Sequence, residues 1–390
     1  MRRIPLLFIF LGICLLPQIS AGQTFTSFDT IFTPNNYPDG PLMSTVFVPS
    51  VPNGISLVAV HGLGDPRSEM EGWCDSLAAN GYTVITIEYP DPVTQNATFP
   101  MPVRAVKTAV QFLRENRARL RLTTNIVGAI GRSLGAGIIA QSLIDENDYS
   151  VYGIDNTVSD QINFAVLLYG IYDPYRFIQS SLPISIPAFI QQYFHSNTAL
   201  EARETPVLQA QRVSAPLLLI HGESDVILQY QQSQEFHDSL SAEGKYNDLI
   251  LYPNQDHLFE MGASSASFSP IGLEVKDSVL AFFAMESSRA GVSLSGPSAI
   301  LAQNVPNPCG LASLSGSSST TVSFRVPKAT TCSIELVNRL GSIVRSSSPE
   351  FFSEGYHTLT LTVSGLPSGV YYYRISGGAS SLARAIVIEN

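Results

Sequence analysis

The run NIVGAIGRSLGAGIIAQ (residues 125–141) changes character at its middle. Its first half is an apolar run of the kind found in strands covered on both faces. From Leu134 onward the pattern is helical. At the junction stand Gly131, Arg132, Ser133, Leu134 and Gly135. A nucleophilic serine on a sharp strand-to-helix turn needs glycines two positions to either side, so that neighbouring backbone can crowd in. The turn lifts Oγ out of the sheet and leaves the next N–H free at the start of the helix. Ala136 and Gly137 permit close packing behind it. A GxSxG pattern alone is weak, and a helix N-cap serine is the bland alternative. The strand–turn–helix setting is what favours a nucleophile.

Outward from this turn, strand and helix alternate. SLVAVHG (56–62), YTVITIEY (82–89), INFAVLLYG (162–170), APLLLIHG (215–222) and DLILYP (248–253) are further near-continuous apolar runs. VRAVKTAVQFLRENRARL (103–120) has helical spacing, with Val103, Val106, Val110 and Leu113 on one stripe and the basic residues expected to face out. VKDSVLAFFAM (275–285) reads as another helix, and FDTIFTP with STVFVPS as an antiparallel opening hairpin. The fold class that follows is α/β, a doubly wound, mostly parallel sheet whose ligands belong at the carboxyl ends of the strands.

Ser133 needs a base to act at neutral pH. HGESDVIL puts Asp225 in the loop after strand 215–220, and NQDHLF puts His257 in the loop after strand 248–253. His257 would take the Ser133 proton, and Asp225 would fix its tautomer. Asp256 and Glu223 are rival acids, ranked lower because one adjoins His257 and the other lies nearer its strand end. His61-Gly62-Leu63-Gly64 follows strand 56–62, so the N–H groups of Leu63 and Leu134 are the oxyanion-hole candidates. His61 is expected to hold that loop by hydrogen bonding.

HGLG, GRSLGAG, HGESD and NQDH, in this order, resemble the α/β-hydrolase superfamily, and most closely its dienelactone-hydrolase and carboxylesterase-type branches. The resemblance implies a serine hydrolase with Ser133, Asp225 and His257 as catalytic residues. NQDH departs from the usual G-x-H around the histidine, and Ser133 at the elbow excludes the nucleophilic aspartate of dehalogenases. No metal-ligand spacing such as HExxH or paired CxxC occurs, and no strand is followed by GxxxxGK[ST], so no metal or cofactor is expected. The interval 171–214 is aromatic and broken by Pro174, Pro183 and Pro187. It is a candidate cap, whose Phe189, Ile190, Tyr193 and Phe194 suit an apolar acyl pocket or, equally, core packing. Trp73 and Pro90-Asp91-Pro92 are open to the same two readings.

The two ends read as address labels. Arg2 and Arg3 precede an apolar stretch from Ile4 to Leu16, with Ser20 and Gly22 at cleavage-site positions, so residues 1–22 form a predicted signal peptide. Residues 23–286 are assigned to the α/β domain and the Ser/Gly-rich 287–300 to a linker. In 301–390, short β-branched runs separated by Gly and Pro turns predict a small all-β sandwich. NVPNPCG (304–310), ELVNRLGSIV (335–344), LPSGVYYYRIS (366–376) and the closing ARAIVIEN resemble the C-terminal sorting domain of type IX secretion cargo. Cys309 stands where that family usually has an aromatic, and Arg384 near its usual basic residue. A carbohydrate-binding sandwich is the alternative, but Tyr371, Tyr372 and Tyr373 are consecutive and so alternate between faces. Cys309 and Cys332 are candidates for a disulfide in an exported chain, and Cys74 for a buried apolar filler.

Composition agrees. Of 390 residues 45% are hydrophobic and 14% charged, which excludes global disorder. A net charge of −10 argues against nucleic acid as a partner. That acidity belongs to 23–300, with 14 basic and 28 acidic residues, whereas 301–390 has six basic and four acidic. Four cysteines exclude a disulfide-dense scaffold, and no run after the signal reaches the ~18 apolar residues of an integral membrane span. The expectation is a secreted or cell-surface serine hydrolase, exported through the outer membrane by type IX machinery, acting on a small-molecule or polymeric carboxylic ester. The alternatives are a serine peptidase or acyltransferase on the same fold, and a catalytically silent surface-display or binding protein.

Overall fold

The opening hairpin pairs β1 (Phe25–Ile31) with β2 (Met43–Pro49) in antiparallel register, Phe25 opposite Pro49. It is extended by β3 (Ser56–Val60), β4 (Thr83–Ile87), β5 (Val127–Arg132), β6 (Phe164–Leu168), β7 (Leu217–Gly222) and β8 (Asn247–Tyr252). The eight strands form one sheet in the order β1-β2-β4-β3-β5-β6-β7-β8. Only the β1–β2 and β2–β4 pairs are antiparallel. This computed structural model describes residues 23–144, 155, 157–176, 186–290, 300–301, 304, 307, 309–310, 318–326, 329–338, 342–353, 355–376 and 383–389. The predicted signal peptide and residues 291–299 of the predicted linker lie outside them.

The helices are α1 (Glu71–Ala79), α2 (Met101–Glu115), α3 (Leu134–Ser142), α4 (Ile186–Tyr193), α5 (Thr198–Glu204), α6 (Gln231–Ala242) and α7 (Pro270–Arg289). They cover both faces of the sheet, which is why the strands read as continuous apolar runs. In β3, Val58 and Val60 enter a core with Val106, Val110 and Leu113 of α2, Ile139 of α3 and Phe236 of α6. Their neighbours Leu57 and Ala59 enter the opposite core with Trp73 and Leu77 of α1 and Val279 and Phe283 of α7. The alternation of side chains along a strand thus fills two cores from one short sequence.

Helix α2 begins at Met101, with Pro102 in its first turn where no N–H is needed, and it stops at Glu115, short of 120. Its apolar stripe is buried as expected. The expectation that its basic residues face out fails at Lys107, which is fully buried and ion-paired with Asp160 at 2.6 Å. The cause is tertiary. The segment before β6 crosses this face of α2, where Gln111 donates to the carbonyls of Asp155 and Val158 and Arg114 to that of Ser159.

The C-terminal region forms two antiparallel sheets. One joins β9 (Ile300–Leu301), β10 (Ser319–Val326) and β14 (Gly355–Thr362). The other runs β12 (Ile343–Ser346), β11 (Thr330–Val337), β15 (Gly369–Ser376), β16 (Ala383–Ile388), with β13 (Glu350–Phe352) also on β11. Phe324, Ile334, Leu336, Tyr373 and Ile386 share the core between them. Tyr372, facing away, is 41% exposed while Tyr373 is buried, as the alternation requires. Cys309 and Cys332 are free, buried thiols, and the pairing anticipated for them is not formed. Cys309 bridges to Ile388 of β16, whereas Cys332 lies on β11, with β15 between. Three strand spacings of about 4.8 Å separate them, about twice the Cα reach of a disulfide.

This region docks on the edge of the α/β sheet. The Asn307 carbonyl accepts the N–H of Leu251 on the edge strand β8 (3.3 Å), and its side-chain oxygen accepts from Val387 of β16 (2.9 Å). Arg384 pairs with Asp277 of α7. One backbone donor of an otherwise open strand edge is thereby covered. For the buried pair on α2, replacing Lys107 by Met should cost about 3–5 kcal/mol, because Asp160 stays buried without its cation. Urea denaturation checks this, and the double variant Lys107→Met/Asp160→Leu is expected to be less impaired than the single one.

Candidate active site

Ser133 stands between the end of β5 and the start of α3 with φ 53° and ψ −125°, a left-handed conformation rare for a residue with a side chain. The turn is held by the Ser133 N–H, which donates to the carbonyl of Leu168 at 2.9 Å. The flanking glycines have a direct explanation. A Cβ on Gly131 would lie 2.8 Å from the Gly135 backbone, and one on Gly135 would lie 2.3 Å from the carbonyl oxygen of His61. Their absence lets the first turn of α3 pass against the end of β3.

The structure brings the three residues singled out in sequence together. His257 Nε2 lies 3.1 Å from Ser133 Oγ, and His257 Nδ1 lies 2.7 Å from Asp225 Oδ2. The His257 imidazole is 7% exposed. Asp225 sits in the turn after β7, where Oδ1 accepts the N–H groups of Ile227 (2.8 Å) and Leu228 (2.9 Å). Oδ2 also lies 3.2 Å from Nε2 of His221, a residue the sequence reading passed over. Burial raises the Asp225 pKa, but the hydrogen bonds and charge of His221 and His257 outweigh it and hold the carboxyl well below the usual range. The rival Asp256 does a different task. Its Oδ1 accepts the N–H groups of Val226 (3.0 Å) and His257 (2.7 Å), tying the two loops together.

The loop after β3 is built to keep its shape. Tyr89 Oη donates to the carbonyls of His61 (3.1 Å) and Gly62 (3.0 Å), and Asp91 Oδ2 accepts the Gly64 N–H at 2.8 Å. His61 is buried, stacks on Tyr89 with ring centroids 4.3 Å apart, and hydrogen-bonds through Nδ1 to the Gly62 carbonyl. Gly62 lies close to the Ser133 side chain, since a Cβ on it would sit 3.4 Å from that of Ser133. Among the described residues no protein acceptor meets the N–H of Leu63 or Leu134.

A second residue missed in sequence is Tyr169, at the end of β6 with φ 38°. Its ring meets His257 edge-on at 4.7 Å, and its hydroxyl donates to Glu260 at 2.5 Å. Burial pushes the Glu260 carboxyl up, against the Tyr169 hydrogen bond and the charge of Arg132. Arg132 is itself buried and paired with Asp65 (3.3 Å) and Glu69 (3.4 Å). No motif marks Tyr169, because its contacts come from loops distant in the chain.

Beside the Ser133 turn lies a small apolar recess of about 50 Å³, partly open to solvent, lined by Leu134, Tyr172, Phe189, Ile190, Tyr193 and Phe194 among others. Tyr193 donates to Gln141 Oε1 (3.2 Å) at its wall. Trp73 is not part of it. That ring is buried on the opposite face of the sheet, edge-on to Phe268.

Residues 57–240 match the BD-FAE family model, and residues 316–389 match that of the secretion system C-terminal sorting domain. The chain is similar to esterase LipQ of Mycobacterium tuberculosis, with 24% identity over 194 residues, 48% of this chain and 45% of LipQ. It spans about half the length of the curated relatives it matches. Among solved structures it resembles the propionate-bound thermophilic esterase Est2 of Thermogutta terrifontis, with TM-score 0.54, 17% identity, and 67% of this chain and 94% of that one covered. It also resembles esterase B of Lactobacillus rhamnosis, with TM-score 0.59, 15% identity, and 69% and 88% covered. The fold is that of the α/β-hydrolases. The two matches fall on successive parts of the chain, the first on the α/β domain and the second on the C-terminal sheets.

Because its folded-state pKa is lowered, the Asp225 carboxylate contributes stability in full above its unfolded value of about 4 and loses it as pH falls through the folded value. The stability deficit of Asp225→Asn relative to wild type, followed by urea denaturation against pH, should therefore shrink on acidification below about pH 4.

Proposed function

We propose that this protein is an exported serine hydrolase that cleaves carboxylic esters, with Ser133 as nucleophile, His257 as general base and acid, and Asp225 as the orienting carboxylate. The observation that carries the reading is the unbroken chain of contacts from Ser133 Oγ through the imidazole to a buried carboxylate, 3.1 and 2.7 Å long. Ser133 Oγ attacks the ester carbonyl while its proton passes to His257 Nε2. The imidazolium is held by Asp225 Oδ2 through the Nδ1 hydrogen. The developing oxyanion is met by the N–H groups of Leu63 and Leu134. Collapse breaks the ester C–O bond, and His257 returns its proton to the departing alcohol. Water, activated by the same imidazole, then attacks the acyl-enzyme and frees the acid and Ser133. This chemistry uses side chains and backbone alone.

Ester rather than amide cleavage is supported by the relative named an esterase, LipQ, at 24% identity over 194 residues. The apolar and aromatic lining of the small recess beside Leu134 supports a short apolar acyl group. The C-terminal sorting domain supports export, with type IX machinery as its partner and the outside of the cell or its surface as the destination. We place the hydrolase at 23–286 and the sorting domain at 301–390, although α7 runs three residues past the first limit and β9 begins one residue before the second. Helix α7, which continues to Arg289, forms the end of the first.

A fluorophosphonate probe should label the folded wild type, and Ser133→Ala should abolish the label. Wild type that is folded and inert to the probe sinks the reading. On a series of aryl esters, Ser133→Ala and His257→Ala should each lower kcat by a factor on the order of 10⁶, as for other triads. Phe189→Ala opens one wall of the recess. It should reduce the preference for butyryl over acetyl esters by about tenfold, judged by the ratio of kcat/KM values.

A further inference from the structure

His221, in the first position of HGESD, is fully buried and has no part in the proton transfers above. Its ring nevertheless touches the acid. Nε2 lies 2.8 Å from the carbonyl oxygen of Leu228 and 3.2 Å from Asp225 Oδ2. Both are acceptors, so Nε2 carries the hydrogen, and Nδ1 is left to take the hydroxyl hydrogen of Ser233 on α6 at 2.7 Å. Leu228 closes the arrangement, giving its N–H to Asp225 Oδ1 and its carbonyl to His221. Asp225 thus meets two donors at each oxygen: Ile227 and Leu228 at Oδ1, His257 and His221 at Oδ2.

We propose that His221 is a positioning residue that acts through Asp225: its Nε2–H fixes the carboxylate plane and shares Oδ2 with His257, and so sets both the aim and the basicity of that imidazole. The proposal rests on the triad reading above for its effect on rate, but not for its effect on His257 itself. The groups facing His257 are Ser133, Asp225 and the Tyr169 ring, with Glu260 behind Tyr169 and the Asp256 carboxylate on its backbone N–H. Those facing His221 are Asp225, Ser233 and, at 6.4 Å, the Tyr169 ring. When the Nε2–H is removed, Oδ2 serves His257 alone. The imidazolium is then better stabilised and the carboxylate is freer to rotate.

The test uses the full chain with ring-labelled histidine, its six residues assigned by single substitutions. In wild type, nitrogen shifts should show His221 as the Nε2–H tautomer; an Nδ1–H tautomer overturns the proposal before any variant is made. His221→Leu should raise the His257 titration midpoint, and with it the acid limb of kcat/KM, by about half a unit or more. It should also lower kcat at least about tenfold with KM nearly unchanged, as happens when an orienting partner of a functional histidine is lost. His221→Gln, whose amide nitrogen can occupy the Nε2 place, should restore both quantities to within about threefold and a few tenths of a unit of wild type. His221→Asn, which cannot reach Oδ2, should behave like His221→Leu and replaces it if that variant does not fold. A His257 midpoint that is the same in wild type, Leu, Asn and Gln forms overturns the proposal, as does a folded Gln form as impaired as Asn. If the midpoint moves as expected but wild type cleaves no ester, positioning stands and the hydrolase reading fails.

Discussion

Gly135 carries no side chain, and the carbonyls of Val60 and His61 occupy the space where one would begin, 2.4 and 2.3 Å from its Cβ position. This close approach brings the end of β3 against the first turn of α3. It therefore sets where the His61–Gly64 loop lies relative to Ser133. Gly131, packed on the Gly135 backbone from the other side, completes the constraint. The strain of a serine at φ 53° is borne because the turn is wedged between two parallel strands and held by the Leu168 carbonyl. A nucleophile on a looser turn would point variably, and an oxyanion hole made of backbone N–H groups has value only when it is in place before reaction.

On the other side of Ser133 the order comes from carboxylates. Asp225 and Asp256 lie in neighbouring loops and each takes backbone N–H groups, yet only Asp225 faces the imidazole. Asp256 instead receives the N–H groups of Val226 and His257, joining the loop after β7 to the loop after β8. Two adjacent parallel strands thus present an acid and a histidine at a fixed separation. A local change to either loop is resisted by the other. The buried Tyr169–Glu260 pair adds a wall on the far face of His257. The imidazole is therefore bounded on three sides and open toward Ser133.

The C-terminal sheets are attached by more than a tether. Asn307, from the NVPNPCG stretch, covers a backbone donor of the edge strand β8 while holding β16, and Arg384 reaches Asp277 on α7. Residues that read as family marks in the C-terminal sequence are, in space, the contacts between the two halves of the chain.

The order of strands and helices, the two-faced burial and the elbow were legible in the sequence because each depends on local spacing. Continuous apolar runs mark strands covered twice, and glycines two residues from a serine mark a turn too tight for a Cβ. The candidates Ser133, Asp225 and His257 could be picked because each follows a strand end, where chain geometry puts loops on one rim. Distance and partner choice could not be read this way. That Lys107 is buried, that Asp256 ties two loops together, that Tyr169 and His221 flank the site, and that Cys309 and Cys332 stay apart all depend on segments far apart in sequence meeting at a few ångströms. Periodicity encodes which face of an element is apolar; only packing decides which neighbour comes to lie against it.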